Sequence, residues 1–326
     1  MIASQDSWEA LKRGVAMPAV EISGSRILVT GASSGIGREL ARELAGCGAV
    51  LAISARRRTL LEELAEEIDA GGGAPAAVLE ADLSERGAAE MLASEADSAL
   101  GHIDVLVNNA GGGVGGRIAT VGDRDEAREA FETNYWSPLA LIHALVPGMT
   151  ERGRGAVVNV TSMAQVGTWP GFGAYAATKA ALAVATETLA MELGESGVHV
   201  MEVAPGPVDT AVQGETRLAP GIERMLDRMP LGDPALLASL IARALERGRK
   251  RVIYPRRARL GYLLPALARW DTRRIAARAA KDLDPAAREA LGSLVVRTGS
   301  GGDEIARAAR EAWERDRGRL PAPDRG

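Results

Sequence analysis

RILVTGASSGIGRELARELAG, residues 26–46, is the stretch that decides the fold. Residues 26–30 form a short apolar run that stops at Gly31, as a buried strand does. RELARELAG repeats its apolar positions at helical spacing and closes on a glycine. Between strand and helix lies TGASSGIG, 30–37. Gly31 permits a tight turn, Gly35 lets backbone N–H groups approach a pyrophosphate, and Gly37 lets the helix pack close to the strand. The helix N-terminus adds partial positive charge where an anion would sit. The spacing is G-x-x-x-G-x-G, not the commoner G-x-G-x-x-G, and glycines also make plain turns. The position of the cluster, between a strand and a helix at the head of an alternating array, favours a nucleotide site.

That alternation continues along the chain. Short apolar runs recur at VLAIS 50–54, AAVLEAD 76–82, IDVLVNNAG 103–111, AVVNVTS 156–162, VHVMEVAPG 198–206 and RVIYP 251–255. Helical patterns separate them, including a long one over about 124–150 and an Ala-rich one over 173–194. Strands alternating with helices about seven times predict an α/β fold, a Rossmann-type doubly wound parallel sheet covered on both faces. Residues 1–23 read as an N-terminal appendage, 24–255 as the main domain, and 256–326 as a helical, basic C-terminal extension whose end, RGRLPAPDRG, reads as disordered.

The end of the second strand speaks to cofactor choice. A carboxylate there would accept from a free ribose 2′-hydroxyl. This chain instead has ISARRR, with Arg56 and Arg57. Arginine forks suit a phosphate dianion, and Ser33 can add a hydroxyl. The plainer reading is a solvated helix start, but cations are unfavourable at a helix N-terminus. The expectation is NADP(H) in preference to NAD(H).

Several motifs, in this order, resemble those of the short-chain dehydrogenase/reductase family: TGASSGIG, NNAG at 108–111, Asn134 in ETNYW, Ser162 in VTSMA, YAATK at 175–179 and PGPVDT at 205–210. The likeness covers about residues 25–255. It implies that Gly31, Ser33, Ser34, Gly35, Ile36 and Gly37 hold a dinucleotide. It implies that Asp82 and Leu83 border the adenine, and that Asn108, Ala110 and Gly111 border the cofactor. Pro205, Gly206, Val208 and Thr210 are implied near the nicotinamide. The catalytic set it implies is Asn134, Ser162, Tyr175 and Lys179, with Tyr175 and Lys179 also touching cofactor, Asn134 supporting a proton relay, and a homo-dimer or homo-tetramer as the assembly. The glycine-rich GGGVGGR after NNA and the extra tail depart from the pattern.

The residues themselves carry the same chemistry. Tyr175 and Lys179 stand four apart on a helix and share a face. A free tyrosine ionises near pH 10, and a close cation would lower that. Tyr175 is therefore the expected general acid/base and Lys179 the group that lowers its pKa. Ser162 ends a strand at the carboxyl edge, where its hydroxyl can hold a substrate oxygen. Asn134 sits mid-helix, where asparagine is a poor helix former. The expected function is hydride transfer between the nicotinamide and a carbonyl or secondary alcohol. The alternative is an NADP(H)-binding regulator or scaffold without turnover.

Other classes recede. The single Cys47 excludes an internal disulfide, and His102, His143 and His199 lack metal-ligand spacing, so no metal is expected. No run is long and apolar enough to span a membrane and no leader pattern is evident, which makes the cytoplasm the default. Net charge is −4, yet residues 247–281 hold twelve Lys or Arg against Asp271 alone. Two readings of YPRRARLGYLLPALARW stay open, a helix docked on its own domain or a partner subunit, and a peripheral contact with an anionic membrane. The second would favour a hydrophobic substrate. Nucleic acid is disfavoured, because no aromatic platform accompanies the arginines. Among five Trp, four Tyr and two Phe, Trp169 and Phe172 are candidates for the substrate pocket or a subunit contact, and 208–231 for a lid.

Overall fold

The structure, a computed structural model, describes residues 19–122, 124–168, 170–210, 231–281 and 296–298. Trp169, most of the proposed lid, most of the N-terminal appendage and the polar C-terminal end lie outside them.

Seven parallel strands form one sheet: β1 Arg26–Thr30, β2 Val50–Ala55, β3 Ala77–Glu80, β4 Val105–Asn108, β6 Gly155–Val160, β7 Val198–Pro205 and β8 Arg251–Tyr254. Their order is β3-β2-β1-β4-β6-β7-β8, so the chain reverses direction across the sheet between β1 and β4. Ligand clefts of open α/β sheets form at such a switch, beyond the carboxyl ends of the strands.

The strands are apolar throughout because both faces are covered. In β1, Ile27 and Val29 pack on one side against α1 (Gly35–Gly46), α2 (Arg58–Ala70) and the later helix over Pro234–Glu246. Leu28, between them, packs on the other side against α3 (Ala88–Leu100). The same alternation runs through Val105, Leu106 and Val107 in β4. Burying a side chain of this size is worth about 1.5–3 kcal/mol, and a one-residue slip would exchange the two faces.

The long central helix expected over 124–150 is divided. After a short α4 (Ile118–Val121) upstream, it comprises α5 (Asp125–Phe131), a π-helical turn over Glu132–Trp136, and α6 (Ser137–Glu151). Single π-turns of this kind collect at functional sites. Next come α7 (Gly173–Leu193), α8 (Pro234–Glu246), α9 (Arg259–Leu263) and α10 (Pro265–Lys281). The tail is not wholly helical: β9, Val296–Thr298, pairs antiparallel with β5, Gly113–Gly115. The glycine-rich departure after NNAG is thus a short strand that a tail segment covers.

Candidate active site

At the switch between β1 and β4 the glycine loop is clamped from below. The Thr30 hydroxyl donates to the Val107 carbonyl at 3.1 Å and accepts from the backbone N–H groups of Asn109 and Ala110, each at 3.0 Å. The Asn109 amide donates to the carbonyls of Thr30 and Gly31 at 2.9 and 3.3 Å. Glycine is required by this proximity. A Cβ on Gly31 would stand 2.7 Å from Ala110 Cα, and one on Gly37 would stand 2.4 Å from the Gly31 carbonyl oxygen.

Above this clamp opens a cleft of about 1000 Å³. Gly31, Ser33, Ser34, Gly35 and Ile36 line it, as do Arg56, Arg57, Asp82, Leu83, Ala110 and Gly111. Pro205, Gly206, Val208 and Thr210 close it from the β7 side, and Ser162, Tyr175 and Lys179 border the same space. The Arg57 guanidinium donates to the hydroxyls of both Ser33 and Ser34 at 3.0 Å, joining the glycine loop to the end of β2. Asp82 accepts from the Ser84 backbone and hydroxyl at 3.0 and 2.7 Å, which fixes the turn after β3.

Three residues of the expected set lie behind this wall. Gly37 is a packing position. The Asn108 amide donates to Asn159 Oδ1 at 2.9 Å beneath the sheet edge, so Asn109 borders the cleft in its place. Asn134 is fully buried in the π-turn. Its amide donates to the Gly112 carbonyl at 2.8 Å and to the Thr178 hydroxyl at 3.0 Å, and its oxygen accepts from Gly112 N–H. Both amide hydrogens are committed within the protein, so the side chain clamps Gly112 to Thr178. Thr178 donates in turn to the Tyr175 carbonyl at 2.8 Å, linking the clamp to the turn that carries Tyr175.

Ser162 follows β6 and caps the short 3-10 turn Met163–Gln165, its oxygen accepting from Ala164 N–H at 3.1 Å. It also shares a hydrogen bond with the Tyr175 hydroxyl. Lys179 is buried, and its ammonium donates to the Val160 carbonyl at 2.9 Å. A Cβ on Gly111 would stand 3.2 Å from that ammonium, so the group faces the glycine side of the cleft. Burial brings the Lys179 ammonium down from the ordinary 10.5 to about 8. The Tyr175 phenol departs from the sequence expectation. Burial pushes it up, and the opposing influence is the Ser162 hydrogen bond, not the lysine. The reason is desolvation: the pocket that brings the two groups together disfavours the charged form of each.

Sequence reasoning missed one set of residues beside this site. Glu202 on β7 is only 2% exposed. Its carboxylate accepts from Thr161 Oγ1 and Gln165 Nε2, both at 2.8 Å, on either side of Ser162. It also accepts from Arg251 Nε at 2.6 Å and from the Tyr262 hydroxyl of α9 at 2.7 Å. One carboxylate thereby joins the serine loop, the last strand of the sheet and the C-terminal extension. The signal was present in VHVMEVAPG, an acid inside a largely apolar strand, where a buried carboxylate must find partners.

The profile of the short chain dehydrogenase family matches residues 25–220. The chain is 39% identical over 186 residues to a fatty acyl-CoA reductase of Mycobacterium tuberculosis, covering 56% of this chain and 63% of that protein. It is 37% identical over 190 residues to dehydrogenase/reductase SDR family member 7B of Bos taurus, covering 56% of this chain and 58% of that one. The chain thus spans less than two thirds of the length of these curated relatives. A short-chain dehydrogenase/reductase of Burkholderia phymatum in complex with NAD superposes with a TM-score of 0.68 at 26% identity, covering 77% of this chain and 97% of that one. A metagenomic short-chain oxidoreductase in complex with NADP gives 0.60 at 30% identity, covering 72% and 97%. With its sheet order, its glycine loop and a family match over more than half its length, the chain belongs to the short-chain dehydrogenase/reductase family.

Proposed function

We propose that this chain is an NADP(H)-dependent oxidoreductase acting on a carbonyl or secondary alcohol, with Tyr175 as its proton-transfer residue. The observation that carries this is the sharing of one cleft by the glycine loop, the Arg57–Ser33–Ser34 cluster, and Ser162, Tyr175 and Lys179. The cleft fits a nicotinamide dinucleotide: its floor is glycine where side chains would collide with backbone, and its far corner is cationic. When bound, the nicotinamide supplies or accepts the hydride.

The chain's own residues do the rest. Gly31, Ser33, Ser34, Gly35 and Ile36 meet the pyrophosphate at the start of α1, and Arg56 and Arg57 favour a 2′-phosphate. Asp82 and Leu83 border the adenine side, while Pro205, Gly206, Val208 and Thr210 border the nicotinamide side. Ser162 holds the substrate oxygen and shares a hydrogen bond with the phenol. A phenol whose proton is held by burial suits proton donation to that oxygen near neutral pH, which is the reducing direction. Lys179 keeps a cation next to the site and near Gly111, available to hydroxyls of a bound cofactor. Asn134 holds Gly112 and, through Thr178, the turn bearing Tyr175.

Two finer readings go with this one. Val184 and Met191, seven apart on α7, stand exposed together with Trp136, and a second copy of the chain would cover such surface, in line with a homo-dimer or homo-tetramer. Exposed Leu263 and Leu264, outside the cleft, and the flanking arginines of α9 and α10 support peripheral contact with an anionic membrane. No helix among the described residues is long and apolar enough to cross one. Sedimentation with anionic vesicles, for the wild type and for Leu263→Asp, tests the contact.

The main test follows cofactor absorbance with a carbonyl panel, comparing NADPH and NADH. Turnover with a better kcat/KM for NADPH supports the reading. Cofactor binding without turnover on any carbonyl or alcohol would favour the scaffold alternative.

A further inference from the structure

We infer that the substrate carries a long apolar chain, and that the chain lies along the wall made by α9 and α10. The inference rests on the reading of Tyr175 as the proton donor. The cleft that holds Tyr175 is also lined by Val166 and Phe172 and, from the C-terminal extension, by Leu260, Leu267, Trp270 and Ile275. Apolar side chains therefore border the space that Tyr175 borders.

The wall is built from both helices. Leu264 N–H donates to the Leu260 carbonyl at 3.0 Å and Ala268 N–H donates to the Leu264 carbonyl at 3.1 Å, so hydrogen bonds tie α9 to α10 although the backbone of Leu264 is not helical. Leu260 on α9 and Leu267 on α10 line the cleft from either side of this junction. Leu260 and Trp270 line the cleft and yet are 60% and 53% exposed. The cleft is thus open to the surface along these residues. A closed pocket would limit substrate length; an apolar slot open to the surface gains contact with each added carbon. Its charged neighbours, Arg257 and Asp271, are exposed at the rim.

The wall is also fixed. Tyr262 is bonded to buried Glu202, and Thr168 N–H donates to the buried Thr272 hydroxyl at 3.2 Å. An apolar face held beside a reaction site, rather than folded into the core, calls for an apolar occupant.

With a reduced nicotinamide bound, the hydride it supplies would form the new C–H bond at the carbonyl carbon as the C=O π pair moves to oxygen, and Tyr175 would protonate that oxygen. Solvent would return the proton to Tyr175, leaving the cofactor oxidised.

The test is a homologous series of straight-chain aldehydes from butanal to dodecanal, each kept below its solubility limit, with NADPH consumption as readout. We expect kcat/KM to rise roughly threefold per added methylene while the chain still gains wall contact. In Leu267→Asn that slope falls. The slope is a ratio within one preparation, so it does not depend on the fraction of protein folded. Turnover with a flat slope in the wild type overturns the inference and leaves the oxidoreductase reading standing. A steep slope unchanged in Leu267→Asn overturns the assignment to this wall. No NADPH consumption with any aldehyde, or with compact ketones run beside them, overturns both.

Discussion

The glycine wall of the cleft, residues 31–37 with 109–111, and the C-terminal wall, residues 256–275, enclose the same space and are held in different ways. The first is fixed by backbone contacts over ångström distances. Thr30 and Asn109 stitch two strand ends together, and no side chain larger than hydrogen fits at Gly31 or Gly37. The second hangs on a few side chains, chiefly Tyr262 on Glu202 and Thr272 on Thr168, and leaves its leucines exposed. A shared cofactor demands a strict surface that tolerates little change. Substrate recognition needs only apolar area at the right place, which many sequences provide.

Predictions can break or sharpen this contrast. The largest effect belongs to the residue between the walls. Tyr175→Phe removes the proton donor and is expected to lower kcat by about 10³-fold. NADPH affinity, followed by cofactor fluorescence, should change little, and retained turnover would refute the role.

Next comes the anchor of the C-terminal wall. Glu202→Ala removes the buried acceptor of Thr161, Gln165, Arg251 and Tyr262, while Arg251 keeps the exposed Glu187, at a cost of about 3 kcal/mol. Urea unfolding measures this. If the wall depends on Glu202 as the geometry says, limited proteolysis after Pro255 should accelerate along with the loss. A stability change below about 0.5 kcal/mol would show that the wall is held otherwise.

Lys179 gives a pH signature. Its ammonium is brought from 10.5 to about 8 by burial. Between those values the unfolded chain holds a proton that the folded chain has released, so this group makes stability rise with pH across that window and withdraws that gain below about pH 8. From pH 8 to 10 the rise is of order 2–3 kcal/mol. Subtracting unfolding curves for Lys179→Met from wild type should isolate it, and identical pH dependence in both proteins would contradict the assignment.

The smallest effect tests the cationic corner. Arg57→Ala should reduce the preference for NADPH over NADH by about 10-fold to 50-fold, mainly through KM, because one charge-assisted contact to a phosphate is lost. An unchanged cofactor ratio would remove Arg57 from that role.

The aldehyde series bears on the other wall. Its slope asks whether α9 and α10 contribute area to binding, as Arg57→Ala asks whether β2 contributes charge.

Much of this was legible in the sequence. A strand, a glycine turn and a helix read directly from residues 26–46, because local periodicity and backbone freedom decide them. That Tyr175 and Lys179 border one cleft was legible because residues four apart share a helix face. Less legible was what a group meets across the fold. Asn108 and Asn109 are adjacent and identical in type, and only the direction of the last peptide of β4 sends one beneath the sheet and the other to the cleft. The shift of the Tyr175 phenol also differs from expectation, since burial depends on everything packed around it and not on the neighbour one turn away.

By itself the sequence determined the doubly wound sheet and the dinucleotide loop, since apolar periodicity and glycine placement act within a few residues. The tertiary structure alone decided that Glu202 ties the serine loop to residue 262, that β9 covers the glycine-rich strand, and that the leucines of the tail become a wall of the cleft. Each of these joins positions dozens of residues apart, and such contacts are set by how layers pack in space, which no local pattern encodes.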